Sequence, residues 1–153
     1  FEVNVFGMVA MSQAVIPGMK AKGAGRIINM SSIAGVLSGP MTAPYAMTKH
    51  AVEAFTTALR DELAPYGIDV TKLNPGPYDT GFNDAMVNGI AAYIDDGDAP
   101  AEAAEEFVRA IVLTGQLDPD EVVQAMADLA EADETPLETF LPPGIRDLLA
   151  PQG

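Results

Sequence analysis

The chain has 153 residues and sets 8 Lys and Arg against 22 Asp and Glu, a formal charge of −14 with an isoelectric point near 4.1. That length suits one domain with its own core, and the acid excess argues against nucleic acid and anionic membrane as partners, because a phosphate surface needs a basic face. Cys is absent and His50 is the single imidazole, which excludes disulfides, Cys nucleophiles, iron–sulfur clusters and a structural zinc site and suits a cytoplasmic protein.

From Phe1 to about Ala21, apolar residues at Phe1, Val5, Met8, Val9, Met11, Val15 and Ile16 recur at helical spacing, and Pro17-Gly18 loosens the last turn. The same stretch carries Asn4, Gly7, Ser12, Gln13 and Pro17, too polar and too broken for a spanning helix. Nor does it read as a signal peptide, because Glu2 stands where a cationic leader would begin. Gly23-Ala24-Gly25 predicts a turn, and Arg26 to Met30 a short strand buried on both faces. Ser31 to Ala43, rich in Ser, Gly and Pro, predicts a loop. Pro44 fits the first turn of a helix running to Leu63, with Ala51, Phe55, Ala58, Leu59 and Leu63 as its apolar stripe.

Pro65-Tyr66-Gly67 ends that helix, Ile68 to Leu73 predicts a second strand, and Asn74-Pro75-Gly76-Pro77 turns the chain out of the sheet. Strand, loop, helix and strand make a βαβ unit, whose strands would be parallel and whose crossover right-handed. Short helices are expected within Thr80 to Ala92, an acidic turn at Asp95-Asp96-Gly97-Asp98, and helices from Pro100 to Leu113 and from Pro119 to about Ala130. Leu137 to Leu141 reads as a short third strand. Residues 1–78 hold 5 acids against 6 Lys and Arg, whereas residues 79–153 hold 17 acids against 2 Arg, so the charge lies almost wholly in the second half, as a solvated face.

Chemistry concentrates between Asn29 and Lys49. Tyr45 and Lys49 stand four apart at a helix start and so share one face. A phenol titrates near ~10 and is a poor base at neutral pH, but a nearby ammonium favours the phenolate. Taken alone, such a pair is more often an ordinary solvated helix face. A Gly-x-Ser-x-Gly nucleophile elbow and a Walker A loop are both absent, which removes the hydrolase and phosphate-loop alternatives.

A strand ending in Asn29-Met30-Ser31-Ser32, a Gly/Pro loop, Tyr45 thirteen residues after Ser32, Lys49 behind it, and a second strand ending in Asn74-Pro75-Gly76-Pro77-Tyr78-Asp79-Thr80 together resemble the short-chain dehydrogenase/reductase family of the classical type. The resemblance is good over residues 1 to about 115 and looser beyond. It implies an α/β fold, a Rossmann-like doubly wound parallel sheet, of which this chain corresponds to the second half: about three strands with flanking helices, beginning inside the fourth helix. Residues 1–80 would be the catalytic βαβ portion, and 81–153 the substrate loop and acidic C-terminal helices.

By the same resemblance the activity is NAD- or NADP-dependent interconversion of an alcohol and a carbonyl. Tyr45 would be the general acid/base, and Lys49 would hold the nicotinamide ribose and, with the oxidised ring, lower the Tyr45 pKa. Ser32 would hydrogen-bond the substrate oxygen, Asn4 would support a water relay to Lys49, and Pro75, Gly76 and Thr80 would contact the nicotinamide carboxamide. Other readings stand beside these: Asn4 as an inert helix residue, Thr80 as a helix cap, Ser31 as a turn residue, and His50, on another helix face, as structural. Tyr78 replaces the family's usual smaller aliphatic residue. Met41, Phe82, Met86 and Tyr93 are candidates for lining a substrate pocket.

The family's Thr-Gly-x-x-x-Gly-x-Gly turn and Asn-x-Ala-Gly segment are absent, and Gly23-Ala24-Gly25 precedes a strand instead of following one, so it does not place a phosphate at a helix N-terminus. The strand at 26–30 is internal in the family's sheet, so its edge is expected to be exposed here and the chain to be unstable or self-associating. Helices 1–21 and 44–64 correspond to the family's usual dimer surface and imply a homo-oligomer. The alternative function is a non-catalytic remnant serving only oligomerisation.

Overall fold

The computed structural model of the chain describes residues 1–149; residues 150–153, the end of the expected acidic tail, lie outside the described residues. A wide π-type turn, Glu2–Gly7, leads into α1 (Met8–Lys22), and β1 (Gly25–Met30), α2 (Ala43–Leu63) and β2 (Ile68–Pro75) follow as the βαβ unit. Then come α3 (Phe82–Ala91), α4 (Ala99–Leu113), α5 (Asp120–Glu131), β3 (Glu138–Leu141) and the single turn α6 (Ile145–Leu149).

The sheet has the order β1-β2-β3 and is parallel throughout, with Arg26 opposite Asp69, Met30 opposite Leu73 and Pro75 opposite Leu141. Its two faces are covered by different helices. On one, Ile27 and Val70 meet Leu59 and Leu63 of α2 with Ile16 and Met19 of α1; on the other, Ile28 and Leu73 meet Leu129, Val122 and Ala125 of α5. Helices on both faces of a parallel sheet are the doubly wound arrangement the sequence led us to expect.

Local chemistry explains the boundaries. Gly23 closes α1 in the left-handed conformation, φ 66°, that L-residues with a Cβ avoid. Gly67 does the same after the turn that ends α2, and a Cβ there would lie 2.4 Å from the Gly23 carbonyl oxygen, so these two glycines let the strand entrances pack together. Pro44 stands in the first turn of α2, where its missing N–H costs nothing. The acidic turn ends in Asp98, whose carboxylate caps α4 by accepting from the Ala101 amide at 3.2 Å.

Three expectations need correcting. Strand β1 is not buried on both faces: only Asn29 is buried, because β1 is the edge of the described sheet and pairs with β2 alone. The buried stripe of α2 is rotated from the expected one, running through Thr48, Val52, Thr56, Leu59 and Leu63, while Ala58 is exposed. Thr48 and Thr56 are buried because each hydroxyl donates to its own helix, to Tyr45 and Val52 carbonyls, and accepts from an Asn side chain, Asn4 or Asn29. Finally, the second-half acids are not simply a solvated face. Glu121 accepts a hydrogen bond from Tyr78, and Glu138 pairs with Lys72 and Arg146.

The acidic segment is tied to the sheet from below. Asp69 on β2 pairs with Arg26 at 3.3 Å and Arg60 at 3.2 Å and accepts from the buried Thr135 hydroxyl at 2.7 Å. Arg26 also donates to the Leu129 carbonyl and Arg60 to the Thr135 carbonyl, so the connection after α5 is held at the strands' N-terminal ends. The opposite ends of the strands are left for the site.

Candidate active site

Tyr45, Lys49, Ser32, Asn4, Pro75, Gly76 and Thr80 all line one cavity of about 550 Å³ at the C-terminal ends of β1 and β2. Parallel α/β sheets bind ligands at that end, because the loops leaving the strands diverge there. The structure thus brings together every catalytic and cofactor-binding residue named from the sequence. Ser32 leaves β1 in an extended conformation and its hydroxyl accepts from the Ala34 amide at 3.1 Å, holding the following turn. Tyr45 and Lys49, one turn apart on α2, project into the same space, with the Lys49 ammonium 5.8 Å from the Tyr45 ring centre.

Burial pushes the Tyr45 phenol above its ordinary value, and the hydrogen bond with the Ser32 side chain pulls it part of the way back. The sign is opposite to the lowering expected from Lys49. Burial is the larger influence on the phenol; Lys49 is itself pushed down by burial, and its ammonium donates to the Met30 carbonyl at 2.9 Å. Glu53, one turn further along α2, favours the charged lysine and offsets part of that.

Asn4 reaches α2 rather than Lys49, its amide donating to Thr48 Oγ1 at 3.1 Å. The Thr80 hydroxyl accepts from the Phe82 amide at 3.4 Å, so it serves at the start of α3 while facing the cavity. His50 is exposed, with Nδ1 2.9 Å from the Ala46 carbonyl oxygen. Phe82 and Met86 line the cavity as expected, Phe82 with its ring 5.3 Å from that of Tyr45; Met41 and Tyr93 do not line it, and Tyr93 is 91% exposed. Tyr78 packs in the core beside Leu73, Leu129 and Leu141, and burial together with Glu121 drives its phenol far above the usual range.

A buried polar network beneath the site escaped sequence reasoning. Glu53 Oε1 accepts from the Ser31 hydroxyl and, at 2.6 Å, from the Asn74 amide, while Oε2 meets the Lys72 ammonium at 2.7 Å. Asn74 also donates to the Ser32 carbonyl at 3.2 Å. Ser31 is therefore not merely a turn residue: it is 2% exposed and joins the end of β1 to α2. Gly35 is required beside it, because a Cβ would lie 2.8 Å from Ser31 Oγ and 2.9 Å from Glu53 Cγ. One signal was available: Glu53 follows Lys49 by four residues and so lies on the same helix face.

The short chain dehydrogenase family matches over residues 1–91, so the chain belongs to the short-chain dehydrogenase/reductase oxidoreductases. Among curated relatives, an uncharacterized oxidoreductase of Bacillus subtilis, YusZ, is 33% identical over 132 residues, 85% of this chain and 47% of that protein. A short-chain dehydrogenase from Streptomyces avermitilis superposes with a TM-score of 0.78 at 28% identity, covering 97% of this chain and 53% of that one. Burkholderia enzymes of the same kind, solved with NADP and with NAD, give TM-scores of 0.70 and 0.72 at 25% and 27% identity, over 97% and 96% of this chain and 52% and 53% of theirs. The chain spans about half the length of the relatives it matches.

The family uses NAD(P). The residues present fit the nicotinamide riboside end of such a cofactor: one ammonium, two hydroxyls and the Pro75-Gly76 backbone converge on a single cavity. Gly23, the nearest approach to a glycine-rich turn, caps α1 and stands before β1, so it offers no phosphate site. Among the described residues no group of three or more His, Asp or Glu is placed to hold a metal ion, and no helix is long and apolar enough to cross a membrane.

Proposed function

We propose that the site performs the proton-transfer half of an NAD(P)-dependent interconversion of an alcohol and a carbonyl. The observation that supports this most directly is the convergence of Ser32, Tyr45 and Lys49 on one cavity at the C-terminal ends of parallel strands. When bound, the nicotinamide supplies or accepts the hydride. Lys49 and the Tyr45 hydroxyl would hold its ribose, and Pro75, Gly76 and Thr80 its carboxamide.

Tyr45 acts as the general acid toward a carbonyl oxygen, and its raised pKa keeps the phenol protonated and ready to donate at neutral pH. Ser32 donates a hydrogen bond to the same oxygen and stabilises the charge that develops there. In the alcohol direction the roles reverse, and the Lys49 ammonium, 5.8 Å from the Tyr45 ring centre, would favour the phenolate. Asn4, by holding Thr48 on the helix turn between Tyr45 and Lys49, fixes the orientation of that pair. Residues 1–80 carry the acid/base and cofactor groups in this reading, and the helices that follow close the substrate side. The protein would act in the cytoplasm as an oligomer of copies, each with its own site, associated through helices 1–21 and 44–64, where Val3, Phe6, Met11 and Met47 are exposed.

The test is oxidation of NADH or NADPH, followed by absorbance, with a panel of uncharged ketones and aldehydes. Ketone-dependent consumption is expected. Its absence with both cofactors, in protein that binds the ketones, would favour the non-catalytic alternative.

A further inference from the structure

The cavity holding Tyr45 continues into a groove walled by Phe82 and Met86 of α3, Phe107 and Ile111 of α4, and Val123 and Met126 of α5. Phe107 and Ile111 stand four apart and Val123 and Met126 three apart, so each pair forms a ridge along its helix. Five of the six are large apolar side chains left open: Phe82 is 49% exposed, Phe107 56%, Ile111 53%, Val123 64% and Met126 39%. The same helices carry Glu102, Glu106, Asp120, Glu121 and Asp128, yet no acid lines the cavity, and Lys49 is its one charged residue.

Resting on the acid/base reading of Tyr45, we propose that this groove receives the aliphatic tail of an uncharged carbonyl or alcohol substrate, with the reacting oxygen at Tyr45 and Ser32. Three observations single out that occupant. The groove is continuous with the cavity holding the reacting groups, so whatever fills it reaches Tyr45. The cavity and groove together enclose about 550 Å³, within the roughly 300–1,000 Å³ common for small-molecule sites. The lining favours an uncharged tail: away from Lys49 it offers no charged side chain to pair with either an anionic or a cationic one.

Calorimetric titration of the full chain with hexanol, octanol and decanol tests this without any cofactor. Affinity should tighten about fourfold per added methylene, the gain from removing one CH₂ from water, until the groove is filled. Val123→Glu and, separately, Phe107→Ser should weaken decanol about tenfold or more and change hexanol less than twofold; both positions are exposed, and unchanged circular dichroism would show that the variants fold. Equal affinity for the three alcohols, or decanol binding unaffected by either variant, would overturn the proposal. So would sedimentation showing a dimer that Val123→Glu dissociates and that excludes the alcohols, because the groove would then belong to a second copy. Chain-length dependence with no ketone reduction would sink the reductase reading and leave the groove's chemistry standing; reduction without chain-length dependence would do the reverse.

Discussion

Replacing Glu53 by Gln probes the ion pair on which the site rests. Lys72 lies inside β2 at 3% exposure, its ammonium 2.7 Å from Glu53, 3.3 Å from Thr57 Oγ1 and 3.8 Å from Glu138. The substitution keeps the volume and an acceptor for Ser31 but removes the charge, leaving Lys72 with only the more distant carboxylate. Stranding one member of a buried pair costs about 3–5 kcal/mol, and Glu138 should hold the loss near about 3. Adding Lys72→Met removes the stranded charge, so the double variant should recover most of the stability. Urea unfolding of the four proteins at neutral pH gives the coupling directly, and about 3 kcal/mol or more is expected, because each single variant strands a charge that the double variant does not. Single losses that add to within about 0.5 kcal/mol would refute the reasoning, because contacting residues should not behave as independent sites.

Gly35→Ala should cost about 1–3 kcal/mol and loosen the turn after Ser32, because its methyl would overlap Ser31 Oγ and Glu53; urea unfolding and exchange of the Ala34 amide are the readouts. Tyr78 binds its proton more tightly when folded, so its contribution to stability should be constant below about pH 10, the ordinary phenol value, and should be lost as pH rises above it. Thermal melts from neutral to strongly alkaline pH should show that fall, and Tyr78→Phe should reduce its slope while losing about 1.5–3 kcal/mol at neutral pH with the bond to Glu121. Asn4→Ala should lower kcat more than it raises KM, because the amide orients Thr48 between the reacting residues without touching the substrate; an equal effect of Thr48→Val would support that route.

The order of elements was legible because each boundary carries its own chemistry. Pro44, Pro65-Tyr66-Gly67 and Asp98 mark turns by backbone constraint, and a strand such as Ile68 to Leu73 is recognisable as a short apolar run between them. What hydropathy misplaced were residues whose burial depends on a distant partner. Thr48 and Thr56 fall outside the expected apolar stripe and are buried because Asn4 and Asn29 are brought to them, and nothing in the run Ile68 to Leu73 singles out Lys72 until Glu53 meets it from α2. The depth of β1 was overestimated for a related reason: its apolar run is suited to two neighbouring strands, and the described sheet supplies one.

The reacting groups were legible because Ser32, Tyr45 and Lys49 lie within eighteen residues of one another, and helical spacing alone puts the last two on one face. The far wall of the cavity was not. Phe107, Ile111, Val123 and Met126 have the spacing of ordinary core ridges, and only the packing of α4 and α5 beside the strand ends shows that they face open space. Nor did the residue spacing predict the direction of the Tyr45 shift. That depends on burial and on the hydrogen bond with the Ser32 side chain, both properties of the folded chain.

The central claim is that Tyr45 moves the proton. Its most direct test is the rate of NAD(P)H-dependent ketone reduction by the wild-type chain and by Tyr45→Phe, each checked for unchanged ketone affinity. The account predicts a fall in kcat of about 10²–10⁴-fold, the usual contribution of a positioned general acid, with KM changed little. A variant that keeps its rate while binding the ketone equally well would contradict it.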